Sequence, residues 1–530
     1  MIMWYYNAER YKRRPAMQAQ HHDLPVYRLY INGEWVEASD QAVMPVNEAA
    51  RGEPMAYVAQ GTPADVDRAV AAARAAFEQG PWPHTSPVAR ARILHAIADL
   101  IEENSAELAE LETRNLGVPL RKTIFVDLSG VTEHFRTFAE LARRPAYEPL
   151  GWTDVPAVSW NFIWREPIGV CGQIVPWNYP LLFAAWKLAP ALATGNTVVF
   201  KPASYTPLTV IRLVELIDQA GLLPHGVLNL VTGPGGSVGE AIAAHPQIDK
   251  ISFTGSTASG KRIMQLASTN LKRVSLELGG KSPSILLPDA DLDVAIDGIL
   301  FGIFMNAGQS CEAGSRCFVP EGLYTQVLER LVERARSLRL GDPLDLETEQ
   351  GPLVSERQFN SVMEYIELGQ REGATLVTGG RRAVVPGFER GAYLEPTIFG
   401  NVRNDMRLAQ EEIFGPVLAV IPYRNVSEAI QLANQSDYGL GGAIWSSDIQ
   451  TAIEVAKRIR TGTVWINDYH LIHPHGSFTG FKQSGFGNDH GLPGYLEYTI
   501  PKHIHVDLTQ KREGRLHWDV VFPPGETLRD

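Results

Sequence analysis

The chain has 530 residues, 45% hydrophobic and 20% charged, with a formal net charge of −12. That balance belongs to a soluble globular protein of two or three domains with a large core. The negative charge argues against nucleic acid and acidic membrane surfaces as partners, since both need basic patches, and no apolar run approaches the roughly 18 residues of a membrane span. Residues 1–20 mix Trp4, Tyr5 and Tyr6 with Arg10, Lys12, Arg13 and Arg14. They lack an apolar core followed by a small-residue cleavage site, so they read as a flexible arm or upstream-translated sequence rather than a signal peptide. The segment Leu29-Tyr30-Ile31-Asn32-Gly33-Glu34-Trp35-Val36 reads as a hairpin with an Asn-Gly turn. Residues 63–143 are rich in Ala, Leu and Glu with helical periodicity, and Asp65-Val66-Asp67-Arg68 looks like a helix start. Residues 155–170 are rich in β-branched and aromatic side chains and read as strand. From there the signals alternate: strand 195–200, helix 209–220, strand 227–231, short helix 238–245, strand 248–253 and helix 259–268. The alternation predicts an α/β fold, a parallel sheet with helices on both faces. A second alternating block covers about 282–480, and residues 509–530 form a tail of unassigned purpose.

Three segments carry chemistry. The first is Phe304-Met305-Asn306-Ala307-Gly308-Gln309-Ser310-Cys311, which presents one cysteine in an uncharged, Gly-containing turn. With Cys171 and Cys317 it makes three cysteines in all, too few for a disulfide framework in a chain this long. A thiol in such a turn is a candidate nucleophile; a small buried hydrophobe is the other use of a free cysteine. The second is Val274-Ser275-Leu276-Glu277-Leu278-Gly279-Gly280-Lys281. A lone carboxylate among apolar residues has its pKa raised toward neutrality, which suits a general base, whereas a strand-end Glu facing water does not. The third is Val175-Pro176-Trp177-Asn178-Tyr179-Pro180, where Asn178 is either an amide donor for an oxyanion or a turn residue beside proline.

Together these segments resemble the aldehyde dehydrogenase superfamily over residues 27–502. Six motifs stand in the family's order at about its spacing: Pro176-Trp177-Asn178, Lys201-Pro202-Ala203-Ser204, Phe253-Thr254-Gly255-Ser256-Thr257, Leu276-Glu277-Leu278-Gly279-Gly280-Lys281, Gly308-Gln309-Ser310-Cys311 and Glu411-Glu412-Ile413-Phe414-Gly415-Pro416. The resemblance implies a Rossmann-like cofactor domain (21–146 and 167–279), an α/β catalytic domain (280–483) and a β oligomerisation flap (147–166 and 484–508), hence a homodimer or homotetramer. Free cysteines and the lack of an export signal point to the cytoplasm. The implied activity is NAD(P)-dependent oxidation of an aldehyde to a carboxylic acid. Cys311 attacks the aldehyde, Asn178 and the Cys311 N–H hold the oxyanion, hydride transfer to NAD(P)+ leaves a thioester, and Glu277 activates water to hydrolyse it. Lys187 corresponds to a family lysine near the catalytic Asn, where a positive charge favours the thiolate; a solvent-reaching helix lysine is the alternative.

No G-x-G-x-x-G fingerprint opens a β-α unit, so the cofactor is expected at the end of strand 248–253. There Gly255, Ser256 and Gly260 match the family's pyrophosphate contact at a helix N-terminus. Trp177, Lys201 and Gly233 match positions along the cofactor site, and Glu412 and Phe414 match residues beside the nicotinamide and its ribose. Ser204 departs from the Glu that many NAD-preferring relatives carry. It removes a charge that repels the 2′-phosphate and offers a hydroxyl donor, so NAD and NADP both stay open. Tyr179, Phe183 and Trp186, spaced i, i+4, i+7 on a helix starting near Pro180, share one face. With Phe478 they are expected to line the substrate channel and favour medium-chain or aromatic aldehydes, although core packing is the ordinary use of such a stripe. Glu312 replaces a small or neutral residue. It is expected to oppose anionic semialdehydes and to raise the thiol pKa. Cys171 and Cys317 are assigned to packing, and no metal is expected, because the spacing of His470, His473 and His475 fits no usual zinc pattern. Two rival activities remain: a CoA-acylating semialdehyde dehydrogenase, disfavoured by the presence of Glu277, and a non-catalytic crystallin-like homologue, disfavoured by the intact trio Asn178, Glu277 and Cys311.

Overall fold

Alternating β-branched strands and amphipathic helices build two large, mostly parallel sheets. The computed structural model describes residues 24–154 and 157–523; the arm expected at 1–20 and the end of the tail lie outside the described residues. At the centre of the first sheet, Arg273–Glu277, Lys250–Thr254, Val170–Ile174, Thr197–Lys201 and Leu228–Leu230 run parallel in that order. Antiparallel edges extend it to eight strands: Gly485–Phe486 on one side, the expected hairpin Leu29–Ile31 and Glu34–Val36 on the other. Val170–Ile174, Thr197–Lys201 and Lys250–Thr254 are buried at every residue, as central strands covered on both faces are. In chain order, Val170–Ile174 comes first, the next two strands add on one side, and the following two add on the other. The winding therefore reverses between Val170–Ile174 and Lys250–Thr254, and sheets of this kind take ligands in the crevice beyond the carboxyl ends of such a strand pair.

The second sheet has seven strands, all parallel except Thr375–Thr378 at one edge. A third, antiparallel sheet joins Tyr147–Thr153, Ser159–Pro167 and Thr499–Asp507, and leaves Trp152, Trp160 and Trp164 exposed.

The helical region begins at Pro63, where it is expected. Thr62 is the N-cap and Pro63 the first residue of Pro63–Glu78, while Asp65 accepts the Thr62 N–H at 2.8 Å to close a capping box. Asp65 thus marks the third helical residue rather than the start. The helix Pro180–Thr194 is apolar on all sides and sits between Ser129–Ala142 and the sheet, so its first turn is rigidly placed just after Asn178. No helix among the described residues is long and apolar enough to cross a membrane.

Candidate active site

The helix Leu292–Phe304 ends in a turn, Met305–Gly308, in which Asn306, Ala307 and Gly308 all have positive φ (58°, 53° and 71°). For Ala307 this is strained backbone, at a cost of roughly 1–2 kcal/mol. Packing holds it there: a Cβ on Gly308 would stand 2.1 Å from the Gly415 carbonyl oxygen. The Asn306 amide donates to the carbonyls of Asn178 and Gln309, 3.0 Å each, and the Asn178 amide donates to the same Gln309 oxygen at 2.9 Å. These bonds bring Asn178 and Cys311 to one wall. Asn178 Nδ2 retains a second hydrogen beyond the bond to Gln309. A Cβ on Gly280 would lie 2.2 Å from the Cys311 carbonyl oxygen, so the Gly-Gly break after Glu277 is what allows the two motifs to touch.

Glu277 ends the strand Arg273–Glu277, and its carboxylate is buried with neither oxygen hydrogen-bonded among the described residues. Burial raises its pKa well above the ordinary carboxylate value; the Asp489 charge adds to the rise and Lys187 opposes it. Lys187 does not reach solvent. Its Nζ donates to Asp489 Oδ2 at 2.5 Å with both side chains sealed. Its charge lowers the Glu277 pKa, against the larger effect of burial.

Burial, and then the charge of Glu312, push the Cys311 thiol well above its ordinary pKa. Cys311 Sγ donates to Glu312 Oε2 at 3.1 Å, while Glu312 Oε1 pairs with His470 Nδ1 at 2.9 Å. The three candidate histidines are therefore not a cluster: His470 turns inward, and His473 and His475 pair with each other elsewhere. Cys171 and Cys317 are fully buried strand residues whose thiols burial pushes up to about 12.

A cavity of about 190 Å³ opens at the winding reversal, lined by Trp177, Asn178, Phe183, Gly255, Ser256, Cys311, Glu412 and Phe414, among others. Trp177 packs edge-on against Phe414, ring centres 5.2 Å apart. Glu412 Oε1 accepts the Gly280 N–H at 3.0 Å, and burial raises its pKa to about 7. Ser256 is the N-cap of Thr257–Ala267, accepting the Ser259 N–H, and Gly260 lets that helix approach Leu278. Lys201, its pKa lowered by burial to about 8, donates to the Pro202 carbonyl at 2.9 Å. Ser204 donates to the Gly233 carbonyl at 3.0 Å, so the hydroxyl expected to serve a 2′-phosphate already has an acceptor.

The aromatic stripe forms a continuous stack. Ring centres lie 6.0 Å apart for Tyr179–Phe183, 5.1 Å for Phe183–Trp186 and 5.2 Å for Trp186–Phe478. Only Phe183 of the four borders the cavity; Tyr179, Trp186 and Phe478 are buried in the main core that backs it. Sequence reasoning passed over Asn306, Gln309 and Asp489, and weighed His470 only as a metal ligand. The first two lie in the cysteine motif itself and were visible there as polar residues. Asp489 and His470 lie well over a hundred residues downstream, with no local signal for these contacts.

The aldehyde dehydrogenase family model matches residues 35–504. The chain is 46% identical to the betaine aldehyde dehydrogenase of Bacillus subtilis (strain 168), over 90% of this chain and 96% of that protein. It is 45% identical to human retinal dehydrogenase 2, over 91% of this chain and 92% of that one. Among solved structures it resembles the NAD+ complex of betaine aldehyde dehydrogenase from Staphylococcus aureus, with TM-score 0.89 and 41% identity over 92% and 95% of the two chains.

Proposed function

The chain belongs to the aldehyde dehydrogenase family and is an NAD(P)-dependent enzyme; on that premise we propose that it oxidises a medium-chain or aromatic aldehyde to the carboxylic acid through a thioester on Cys311. The observation that carries this reading is the shared wall: the Cys311 thiol and the Asn178 amide border one cavity, and Glu277 is among the carboxylates acting on the thiol.

The residues present fit NAD or NADP. The cavity lies beyond the carboxyl ends of the strands at the winding reversal. Thr254 Oγ1 is buried there without a partner among the described residues, and the Lys201 ammonium keeps donors beyond its single bond to Pro202. Gly255, Ser256 and the start of Thr257–Ala267 would receive the pyrophosphate, Lys201, Ser204 and Gly233 the adenosine ribose side, and Trp177, Glu412 and Phe414 the nicotinamide side. When bound, the cofactor supplies the two-electron oxidant. The Cys311 thiolate attacks the carbonyl carbon, and the free Asn178 N–H together with the Cys311 backbone N–H receives the developing negative oxygen. Glu277 then takes a proton from water, which attacks the thioester carbon and releases the acid and the thiolate. Burial tunes Glu277 most, and the opposed charges of Asp489 and Lys187 act on it after that.

Phe183, Phe414, Leu278 and Pro176 give the cavity apolar walls, and the buried Glu312 carboxylate beside the thiol opposes an anionic substrate. An initial-rate screen with NAD and NADP tests the substrate reading. Hexanal and benzaldehyde are expected to exceed acetaldehyde in kcat/KM, by roughly 0.8 kcal/mol, about fourfold, for each methylene buried. Succinic semialdehyde is expected to be poor. A screen led by acetaldehyde or succinic semialdehyde would reject the channel assignment. Phe183→Ala does not isolate specificity, because Phe183 is 2% exposed within the main core and its truncation costs about 3–5 kcal/mol of stability as well.

The domain reading is that 21–146 with 167–279 binds cofactor, 280–483 carries the nucleophile, and 147–166 with 484–508 joins subunits. The exposed Trp152, Trp160 and Trp164 and the outer edges of the three-stranded sheet, unpaired among the described residues, support a homodimer or homotetramer built through that sheet. Light scattering at micromolar concentration is expected to give a dimer or tetramer; a monomer would reject the reading.

A further inference from the structure

Glu312 is engaged on both sides. Its Oε2 accepts the Cys311 thiol at 3.1 Å, its Oε1 meets His470 Nδ1 at 2.9 Å, and His470 Nε2 meets the Gly302 carbonyl oxygen at 3.1 Å. A carbonyl oxygen only accepts, so Nε2 carries a hydrogen. A hydrogen is shared between Nδ1 and the Glu312 carboxyl, so ring and acid together carry no net charge. Ring, acid and thiol form a hydrogen-bonded chain whose Glu312 and His470 side chains are only 6% and 3% exposed. The ring is fixed from several sides: by Tyr469 and Phe301 at 4.8 and 5.5 Å between centres, and by Trp465 at 6.4 Å. The Tyr469 hydroxyl donates to the Glu312 carbonyl at 2.8 Å, tying the loop that carries His470 to the nucleophile turn. The arrangement reverses the order of a Cys-His-acid relay, since the acid, not the imidazole, touches the sulfur.

We propose that Glu312 and His470 are positioning residues for the nucleophile, holding the Cys311 thiol protonated and hydrogen-bonded in the substrate-free enzyme, so that loss of Glu312 releases the thiolate and loss of His470 suppresses it further. The inference rests on Cys311 being the nucleophile. A carboxylate in contact with sulfur opposes negative charge there, and His470, hydrogen-bonded to its other oxygen, offsets part of that field. Glu277 and Glu412 also face the thiol and act in the same direction. Tyr179 and Tyr469 are neutral neighbours, and Lys122, 3.9 Å over the Tyr179 ring, is neutralised by Asp127 at 2.8 Å. Burial works to raise the Glu312 pKa, but the hydrogen bond and charge of His470 bring it below the ordinary carboxylate value, consistent with a permanent anion beside the sulfur.

The test is the pH dependence of Cys311 alkylation by iodoacetamide in the intact enzyme, with the modified peptide identified by mass; the buried Cys171 and Cys317 stay silent. Glu312→Gln is expected to lower the midpoint by at least about one pH unit. It should raise the rate at pH 7 about threefold to tenfold, the gain being limited because a more acidic thiol is a weaker nucleophile. His470→Gln is expected to move the midpoint upward, and the double variant to follow Glu312→Gln. Opposite shifts from two touching residues are not what loss of packing produces. An unchanged midpoint in Glu312→Gln, or a downward shift in His470→Gln, overturns the proposal. If His470→Gln does not fold, Glu312→Asp decides: it must stay nearer the wild-type midpoint than Glu312→Gln does, and equal shifts overturn the proposal. Failure of the nucleophile reading itself would appear elsewhere, as turnover surviving in Cys311→Ala.

Discussion

Replacing Cys311 with alanine is expected to lower aldehyde oxidation by about four to six orders of magnitude, the scale seen when a covalent nucleophile is removed. The side chain borders the cavity, but the walls assigned to cofactor come from other elements: the Thr257–Ala267 N-terminus, the Lys201 strand end and the Glu412–Phe414 loop. NAD(P) binding, read by titration, is therefore expected to stay near the wild-type value. Thermal stability should change little, because the truncation removes a single thiol from a side chain that already borders the cavity. Substantial residual turnover would remove the nucleophile assignment, and a matching loss of cofactor affinity would mean that the turn had collapsed.

Replacing Glu277 with glutamine is expected to separate the two halves of the reaction. Acylation should proceed to a burst of about one NAD(P)H per site, followed by a steady state slower by roughly 10²–10⁴, the usual contribution of a general base. The sign of the pH dependence follows from the buried carboxyl. Burial raises the pKa of Glu277, so its base form grows as pH rises. Wild-type deacylation should therefore increase with pH through a range above that of an ordinary carboxylate, and Glu277→Gln should lose that rise. An unchanged steady-state rate would assign water activation to another group.

The fold was legible where local chemistry and tertiary structure agree. The strands and helices between 195 and 268 follow from β-branched runs punctuated by turn residues, and the structure moves their ends by only one to three residues. Residues 155–170 gave a strand signal, but the neighbouring strand Tyr147–Thr153 did not, because it carries Pro149 and Gly151 at a break in register. The catalytic candidates were legible because each sits in its own short motif. Their setting was not. Lys187 was placed near Asn178 by its match to a family lysine, whereas the residue that pairs with it, Asp489, is 302 positions away and carries no local signal. Glu312 was visible as an unusual carboxylate, but its counter-ion His470 is 158 positions away and hidden in a histidine-rich loop. The aromatic stripe was read correctly as one helix face; whether that face meets a channel or the core depends on what packs against it, and only Phe183 reaches the cavity. Ser204 posed the same problem in miniature, since a hydroxyl's partner cannot be read from its neighbours in sequence.

The central claim is a covalent acyl intermediate on Cys311, and the most direct measurement is the mass of the Cys311 peptide from Glu277→Gln, acid-quenched just after the NAD(P)H burst with hexanal. The account predicts one hexanoyl group on Cys311, in amount equal to the burst and absent when NAD(P) is omitted. An unmodified Cys311 peptide after a full burst, or the acyl group on another residue, would contradict it.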